Sequence, residues 1–569
     1  MDARRATCRG ACAVSPQGYA GGQCVTSSTR RGDIIGSGPV DRRPLGLLAA
    51  ALALLAAPAG LLLVWPMDGD QALFHLGAQT LADGGVYYRD FWDIKQPGIY
   101  WFYQAGEALT GSQAGPRLLE VLLVLAAGAL LHRQLRRVHA HPITQVIGPL
   151  LVFAPYLLLA YRAGVGQVEG LAVPLLVVHV VLTGLLDDPD DRLTGGLTWR
   201  AALPWLVAGL TAGALAVLKT MYVVLPLTLL AGALAVLLRR QAGAGAVLGR
   251  LTCYGVGAAV PLGATLAYLV GHDVLGVAWF TSIELPRQIA ALDSLHRPGA
   301  LAYLLTTAAR YLCVPVLGTL VALRAISAST GLRRRWAPAG ATLLLATAVF
   351  SACVATQYLT GRRLLTYAVL LGIPALLGVD VMARRWREPR VLTVAMAVAC
   401  VAALAGSQGV VALVRTASIV RPQLDPAAAD DFAEMMSGSS AATLAAPVAG
   451  LVGPGSGIYV LGDPRVYRRL DARQAVPIIG WSSEFLTPAV WREVEREFTC
   501  ARPAYVFVDD FSAPYVQSGA PGLLAALRAD YVVAASPEGG TWWERRGTGP
   551  GSVRPLTPLP ECTPLEARW

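Results

Sequence analysis

From Leu45 to about residue 414 the sequence returns repeatedly to apolar stretches of about 20 residues, each enough to cross ~30 Å of hydrocarbon as a helix. A chain with this pattern has few folding options, because backbone polar groups in lipid must be satisfied within the spanning element. About eleven spans follow at this length, near 45–65, 114–135, 142–161, 168–186, 201–219, 221–238, 250–270, 300–322, 339–359, 364–382 and 391–413. Only 15% of the 569 residues are charged, where a soluble domain carries about 25%. The expected fold class is therefore an all-α polytopic membrane protein.

Charge placement gives an orientation. The net charge is +10, but the arginines gather at the ends of apolar blocks, which is the positive-inside pattern and not a nucleic-acid surface. Basic connections at 132–141, 187–200, 239–250, the loop with Arg333, Arg334 and Arg335, and 383–390 are placed in the cytoplasm. Residues 1–43 lack the apolar core of a signal peptide and read as a disordered cytoplasmic tail. The spans at 44–414 form the membrane domain, and the long first loop, 66–113, lies outside with everything after about 414. An odd number of spans puts the N-terminus in the cytoplasm and the C-terminal segment outside.

Residues 415–569 read differently. GIYVLGD (457–463) and AYVFVDD (504–510) are buried strands ending in acidic loops, YVVAAS (531–536) and TWWERR (541–546) form an edge hairpin, and 489–499 and 521–529 are helices. This is an extramembrane α/β domain of ordinary size. No phosphate-binding glycine pattern follows either strand, which argues against a nucleotide site. The nine cysteines include no CxxC pair. Cys500 and Cys562 share the C-terminal region, and an oxidising compartment would permit a disulfide between them.

The densest polar and aromatic cluster is the first outside loop, with Asp68, Asp70, Asp83, Asp90, Asp93, Arg89 and Lys95 among aromatics from Trp65 to Tyr103. Leu73, Phe74, Leu76, Gly77 and Leu81 fall on one side at helical spacing, so an amphipathic helix lying on the membrane surface is expected there. Trp and Tyr alone read as interfacial anchors; acids at the bilayer boundary read as functional or paired, with Arg89 and Lys95 as partners. Only two of the 47 basic residues are lysines, Lys95 and Lys219. Lys219 interrupts an apolar run, either snorkelling to the interface or binding a phosphate or carboxylate in a cavity. Gln167, Glu169, Glu284, Arg287 and Arg297 also face outward, as does the segment with Arg362, Arg363 and Tyr367. Two adjacent arginines outside run against the charge bias and suit an anionic headgroup.

An acidic motif after the first span, the Tyr88-Arg89-Asp90 turn, Lys95-Gln96-Pro97, an aromatic run and a second span opening with Arg117 together resemble the GT-C superfamily of membrane glycosyltransferases. The likeness is to the branch of protein O-mannosyltransferases and lipid A aminoarabinose transferases, with Ala78, Gly84, Glu169 and Lys219 as further points of contact. It implies a sugar donor linked to polyprenyl phosphate and approached from the outside, with an envelope glycan, lipid or protein as acceptor. It also implies a first-loop carboxylate acting as base or orienting the acceptor, in a multi-pass protein of a plasma membrane. The family motif often reads Asp-Glu, whereas Asp70 is followed by Gln71 with Asp68 two residues earlier, so either aspartate can hold the role. Lys95, Arg89, Asp90, Lys219, Glu169, Arg362, Arg363 and Tyr367 are the candidates for holding the donor phosphate and substrate. Asp68-Gly69-Asp70 formally matches a metal-binding DxD, but three residues are a weak pattern, and no metal or cofactor is assigned. The competing readings are a transporter or lipid flippase and a non-catalytic envelope assembly protein.

Overall fold

The computed structural model describes residues 43–63, 67–112, 114–160, 166–187, 198–290, 298–355, 364–384 and 441–547. Its membrane part consists of α1 (Arg43–Gly60), α2 (Gly69–Ala82), α3 (Gly98–Thr110), α4 (Gly115–Arg137), α5 (Pro142–Ala160), α6 (Val168–Leu182), α7 (Trp199–Leu218), α8 (Val224–Arg239) and α9 (Ala244–Gly271). Two short helices, α10 (Leu275–Trp279) and α11 (Leu285–Ala290), precede the long α12 (Pro298–Ala328), α13 (Thr330–Ala355) and α14 (Leu364–Arg384).

Helices occupy the first ten expected spans, and the eleventh, 391–413, lies outside the described residues. Six are long and apolar enough to cross a membrane: Gly115–Arg137, Trp199–Leu218, Thr220–Arg239, Ala244–Gly271, Trp336–Val354 and Leu364–Arg384. Leu45–Gly60, Pro142–Leu157, Val168–Leu182 and Pro315–Ala328 are shorter apolar helices, so the described helices establish fewer crossings than eleven. Prolines inside α1, α5 and α6 are tolerated because neighbouring helices cover the freed backbone groups.

Close helix contacts follow the small residues. A Cβ on Gly209 of α7 would lie 2.0 Å from the Tyr254 carbonyl oxygen of α9, and one on Gly257 of α9 would lie 2.0 Å from the Leu206 carbonyl oxygen of α7. Glycine at these positions lets the two backbones touch, as in membrane helix pairs generally. The opposite side of α9 leaves Val256, Val260, Leu266 and Val270 exposed, an apolar surface suited to lipid.

The first loop departs from expectation. Helix α2 forms where the spacing predicts it, capped by Asp68, whose carboxylate accepts from the Gln71 amide at 2.9 Å. It is not a surface helix with one wet face, because Gly69 through Ala78 are all buried, Asp70, Gln71 and His75 included. Protein covers its polar side as well: Gln71 Oε1 accepts from Arg117 Nη2 at 2.6 Å, and His75 Nδ1 lies 2.6 Å from Glu107 Oε1. The aromatic run after Pro97 forms α3, which ends at Gly111 with a φ of 63°.

The C-terminal region holds one five-stranded sheet of order β2-β1-β3-β5-β4, with β1 Gly457–Leu461, β2 Arg473–Gln474, β3 Tyr505–Asp509, β4 Tyr531–Ala535 and β5 Gly540–Arg545. The β1 strand is parallel to β2 and β3, and β5 is antiparallel to β3 and β4. The two acid-ended strands, the hairpin and helices Pro488–Ala501 and Pro521–Asp530 match the sequence expectation. Only β4 of the hairpin is an edge, since β5 pairs on both sides. Cys500 is disulfide-bonded, and Cys562 lies outside the described residues.

Candidate functional site

The site is built around the start of α2. Asp70, in its first turn, is 6% exposed, and its Oδ1 is 3.6 Å from Lys95 Nζ. The same ammonium is 3.5 Å from Asp93 Oδ2 and lies 5.0 Å from the centre of the Phe74 ring. One cation therefore sits between two carboxylates against an aromatic face, a setting in which charges act more strongly than in water.

The loop before Lys95 is fixed by its own polar groups. Asp90 Oδ2 accepts from the Val86 amide at 2.7 Å, and Tyr88 takes a φ of 76° as its amide reaches the Phe91 carbonyl at 2.8 Å. A non-glycine residue in this region is strained and persists only when its surroundings hold it. Here the Tyr87 and Tyr88 hydroxyls both donate to the Lys95 carbonyl oxygen, at 2.7 and 3.2 Å. Asp93 is fully buried, with its Oδ1 accepting from the Ile94 amide and its Oδ2 from the Tyr100 hydroxyl. The Tyr88-Arg89-Asp90 turn thus orients Lys95, while Arg89 and Asp90 pair with each other at 3.2 Å on a more exposed surface.

Asp68 and Asp70 occupy different settings. Asp68 caps α2 and lies 3.4 Å from Gln167 Nε2, whereas Asp70 faces Lys95 and accepts from Trp481 Nε1 at 2.8 Å. Glu169, two residues beyond Gln167, accepts from Lys219 Nζ at 2.7 Å. Lys219 adopts an extended conformation in the break between α7 and a following 3-10 turn. A Cβ on Gly98 would lie 2.8 Å from the Val217 carbonyl oxygen, so the segment after Lys95 packs two residues before Lys219. The two ion pairs border the same end of the bundle. The Tyr367 hydroxyl lies 2.8 Å from Ser351 Oγ, and its ring packs against Phe350, which stacks on Tyr222 three residues after Lys219; Arg362 and Arg363 lie outside the described residues.

Several participants stand outside the candidate site residues read from the sequence, Arg117 having entered only as a point of the resemblance. Arg117 Nη2 donates to Gln71 Oε1 at 2.6 Å, tying α4 to the first turn of α2. Glu120, fully buried, accepts from the Tyr156 hydroxyl at 2.6 Å and the Gly166 amide at 2.7 Å. The larger surprise comes from the C-terminal region. The Trp92 amide donates to the Pro477 carbonyl at 2.8 Å and the Ile479 amide to the Trp92 carbonyl at 3.2 Å, which brings Trp481 and Glu484 to the site. Burial pushes the Glu484 carboxyl up, and the charges of Asp70 and Asp509 add to this. Among the described residues, no group of three or more His, Cys, Asp or Glu side chains is placed to hold a metal ion.

No family model and no curated protein matches the sequence. Among solved structures, the chain is similar to ArnT from Cupriavidus metallidurans bound to undecaprenyl phosphate, at 14% identity and a TM-score of 0.49, over 90% of this chain and 99% of that one. It is also similar to the oligosaccharyltransferase AglB from Archaeoglobus fulgidus, in complex with an inhibitory peptide and a dolichol-phosphate. There the identity is 13% and the TM-score 0.45, over 89% of this chain and 75% of that one. At these scores the likeness is one of outline and assigns no residue.

Proposed function

We propose that the protein is a membrane glycosyltransferase of the GT-C kind, moving a sugar from a polyprenyl-phosphate donor to an envelope glycan, lipid or protein on the outer face of a plasma membrane. The observation carrying this reading is the Asp70–Lys95–Asp93 cluster at the start of α2, with both carboxylates buried and the ammonium partly so. The donor class comes from the resemblance of the first-loop sequence.

In the reaction, an acceptor hydroxyl oxygen attacks the anomeric carbon while the bond from that carbon to the phosphate oxygen breaks. The phosphate leaves with the electron pair, and the acceptor proton passes to a carboxylate in hydrogen-bond reach. The reading gives that proton to Asp70, because Asp70 faces Lys95, the cation offered to the leaving phosphate, whereas Asp68 caps α2. Lys95 supplies positive charge for the leaving phosphate in a setting poor in water, and Lys219, held by Glu169, is the second cation at that end of the bundle.

The test compares envelope lipids and glycans by mass spectrometry in a deletion strain carrying either the wild-type protein or Asp70→Asn. Loss of a general base lowers transfer by about 10²–10⁴-fold, so a polyprenyl-phosphate sugar accumulates and one glycan loses a residue while the variant still inserts. Full complementation by both Asp70→Asn and Asp68→Asn would sink the assignment and leave transport or assembly as the better reading.

A further inference from the structure

The sheet region reaches Asp70 through one short, unusually shaped segment. Gly480 passes so close to β1 that a Cβ there would lie 2.1 Å from the Val460 carbonyl oxygen. Two residues later, Ser482 takes φ 60° and ψ 45°, a left-handed conformation that costs on the order of 1 kcal/mol in a non-glycine residue. The turn is fastened from behind, since Ser483 Oγ donates to Ser512 Oγ at 3.0 Å and the Ser512 amide donates to Asp509 Oδ1 at 2.6 Å at the end of β3. Trp92 ties the preceding residues to the first loop on both of its backbone groups. Strain of this kind persists where surrounding contacts over-determine it. Here its result is a half-buried indole lying on Gly69, with its N–H donated to Asp70 Oδ1 at 2.8 Å.

We propose that Trp481 is a positioning residue for Asp70: the α/β domain completes the membrane site by holding that carboxylate in one orientation through the indole N–H. The proposal rests on the catalytic reading of Asp70 only for its consequence in transfer, since the hydrogen bond itself is open to direct measurement. A neutral donor to a carboxylate favours the ionised form. Removing it therefore raises the pH at which Asp70 takes up a proton and frees the side chain to turn.

The experiment uses the full-length protein in lipid nanodiscs and needs no substrate. Infrared difference spectra are recorded across a pH titration, with Asp70→Asn identifying the Asp70 carboxyl band. In Trp481→Phe the Asp70 midpoint is expected to move up by about one pH unit, and Trp481→His, which retains a ring N–H, is expected to reverse part of that shift. If Trp481→Phe fails to fold, benzothienylalanine placed at position 481 keeps the shape of the indole and removes only the donor. An unchanged Asp70 midpoint in the folded donor-less protein overturns the proposal. In the deletion strain, a raised midpoint should accompany reduced glycan transfer. If Asp70→Asn complements fully while the midpoint still moves, the catalytic reading fails and the positioning contact stands; if Asp70→Asn is inactive and the midpoint is fixed, the reverse holds.

Discussion

Asp70, Lys95 and Asp93 come together because the loop joining α2 to α3 folds back on itself; their presence within one short stretch was legible, and their pairing was not. Trp481 was not, because 411 positions separate it from its partner and nothing in the surrounding sequence marks it. Asp93 stood in plain view in the loop, but its importance depends on the Tyr100 hydroxyl, and that meeting requires the turn at Pro97 and the start of α3. Glu484 gives a pH prediction at this scale. Its folded-state pKa is raised by burial first and then by Asp70 and Asp509, so the native protein binds this proton more tightly than the unfolded chain. Stability from this group is thus full below the unfolded value of about 4.3 and falls as pH rises through the folded value. Glu484→Gln should remove that fall, so the Tm advantage of the variant over wild type grows between pH 4.5 and 8 in detergent; equal pH slopes would contradict the burial argument.

Among the elements, the seam between α7 and α9 shows what periodicity misses. Apolar blocks of the right length predicted both helices, but not which faces touch. The contact is decided by Gly209, Gly213 and Gly257, where added side chains would strike backbone or proline atoms, while the other face of α9 is open to lipid. Gly257→Leu is therefore expected to lower the stability of the folded protein by about 1–3 kcal/mol through overpacking, seen as a reduced Tm. Gly255→Leu, two residues away with open space around its Cβ position, should leave Tm within error. Equal effects from both would mean that the seam does not carry the packing. Helix α2 makes the complementary point: its apolar spacing was real, but the face assigned to water is covered by protein, because polar residues are buried when Lys95, Arg117 and Trp481 supply partners.

For the whole molecule, the Trp92–Pro477 and Trp481–Asp70 hydrogen bonds require the first loop and the sheet to share one side of the membrane. The proposed function places that side at the exterior, as the positive-inside reading of the arginines expects. In intact cells, a membrane-impermeant maleimide should label Phe511→Cys, an exposed position on the sheet region, and spare Gln241→Cys in the loop between α8 and α9, with the wild-type protein as background. The reverse pattern would invert the topology and the proposed direction of donor access. By itself, the sequence determined that this chain must fill a membrane with helices and end in a small α/β sheet, and it localised an acid–base cluster after the first apolar block. Those properties follow from hydrophobic run length, short apolar strand runs bounded by acidic loops, and local spacing, all written along the chain. Only the tertiary structure decided which cation faces which carboxylate, which helix faces meet, and that the sheet supplies a tryptophan to Asp70. Those depend on contacts between residues hundreds of positions apart, where the cost of burying a polar group is met by a partner that no local pattern specifies.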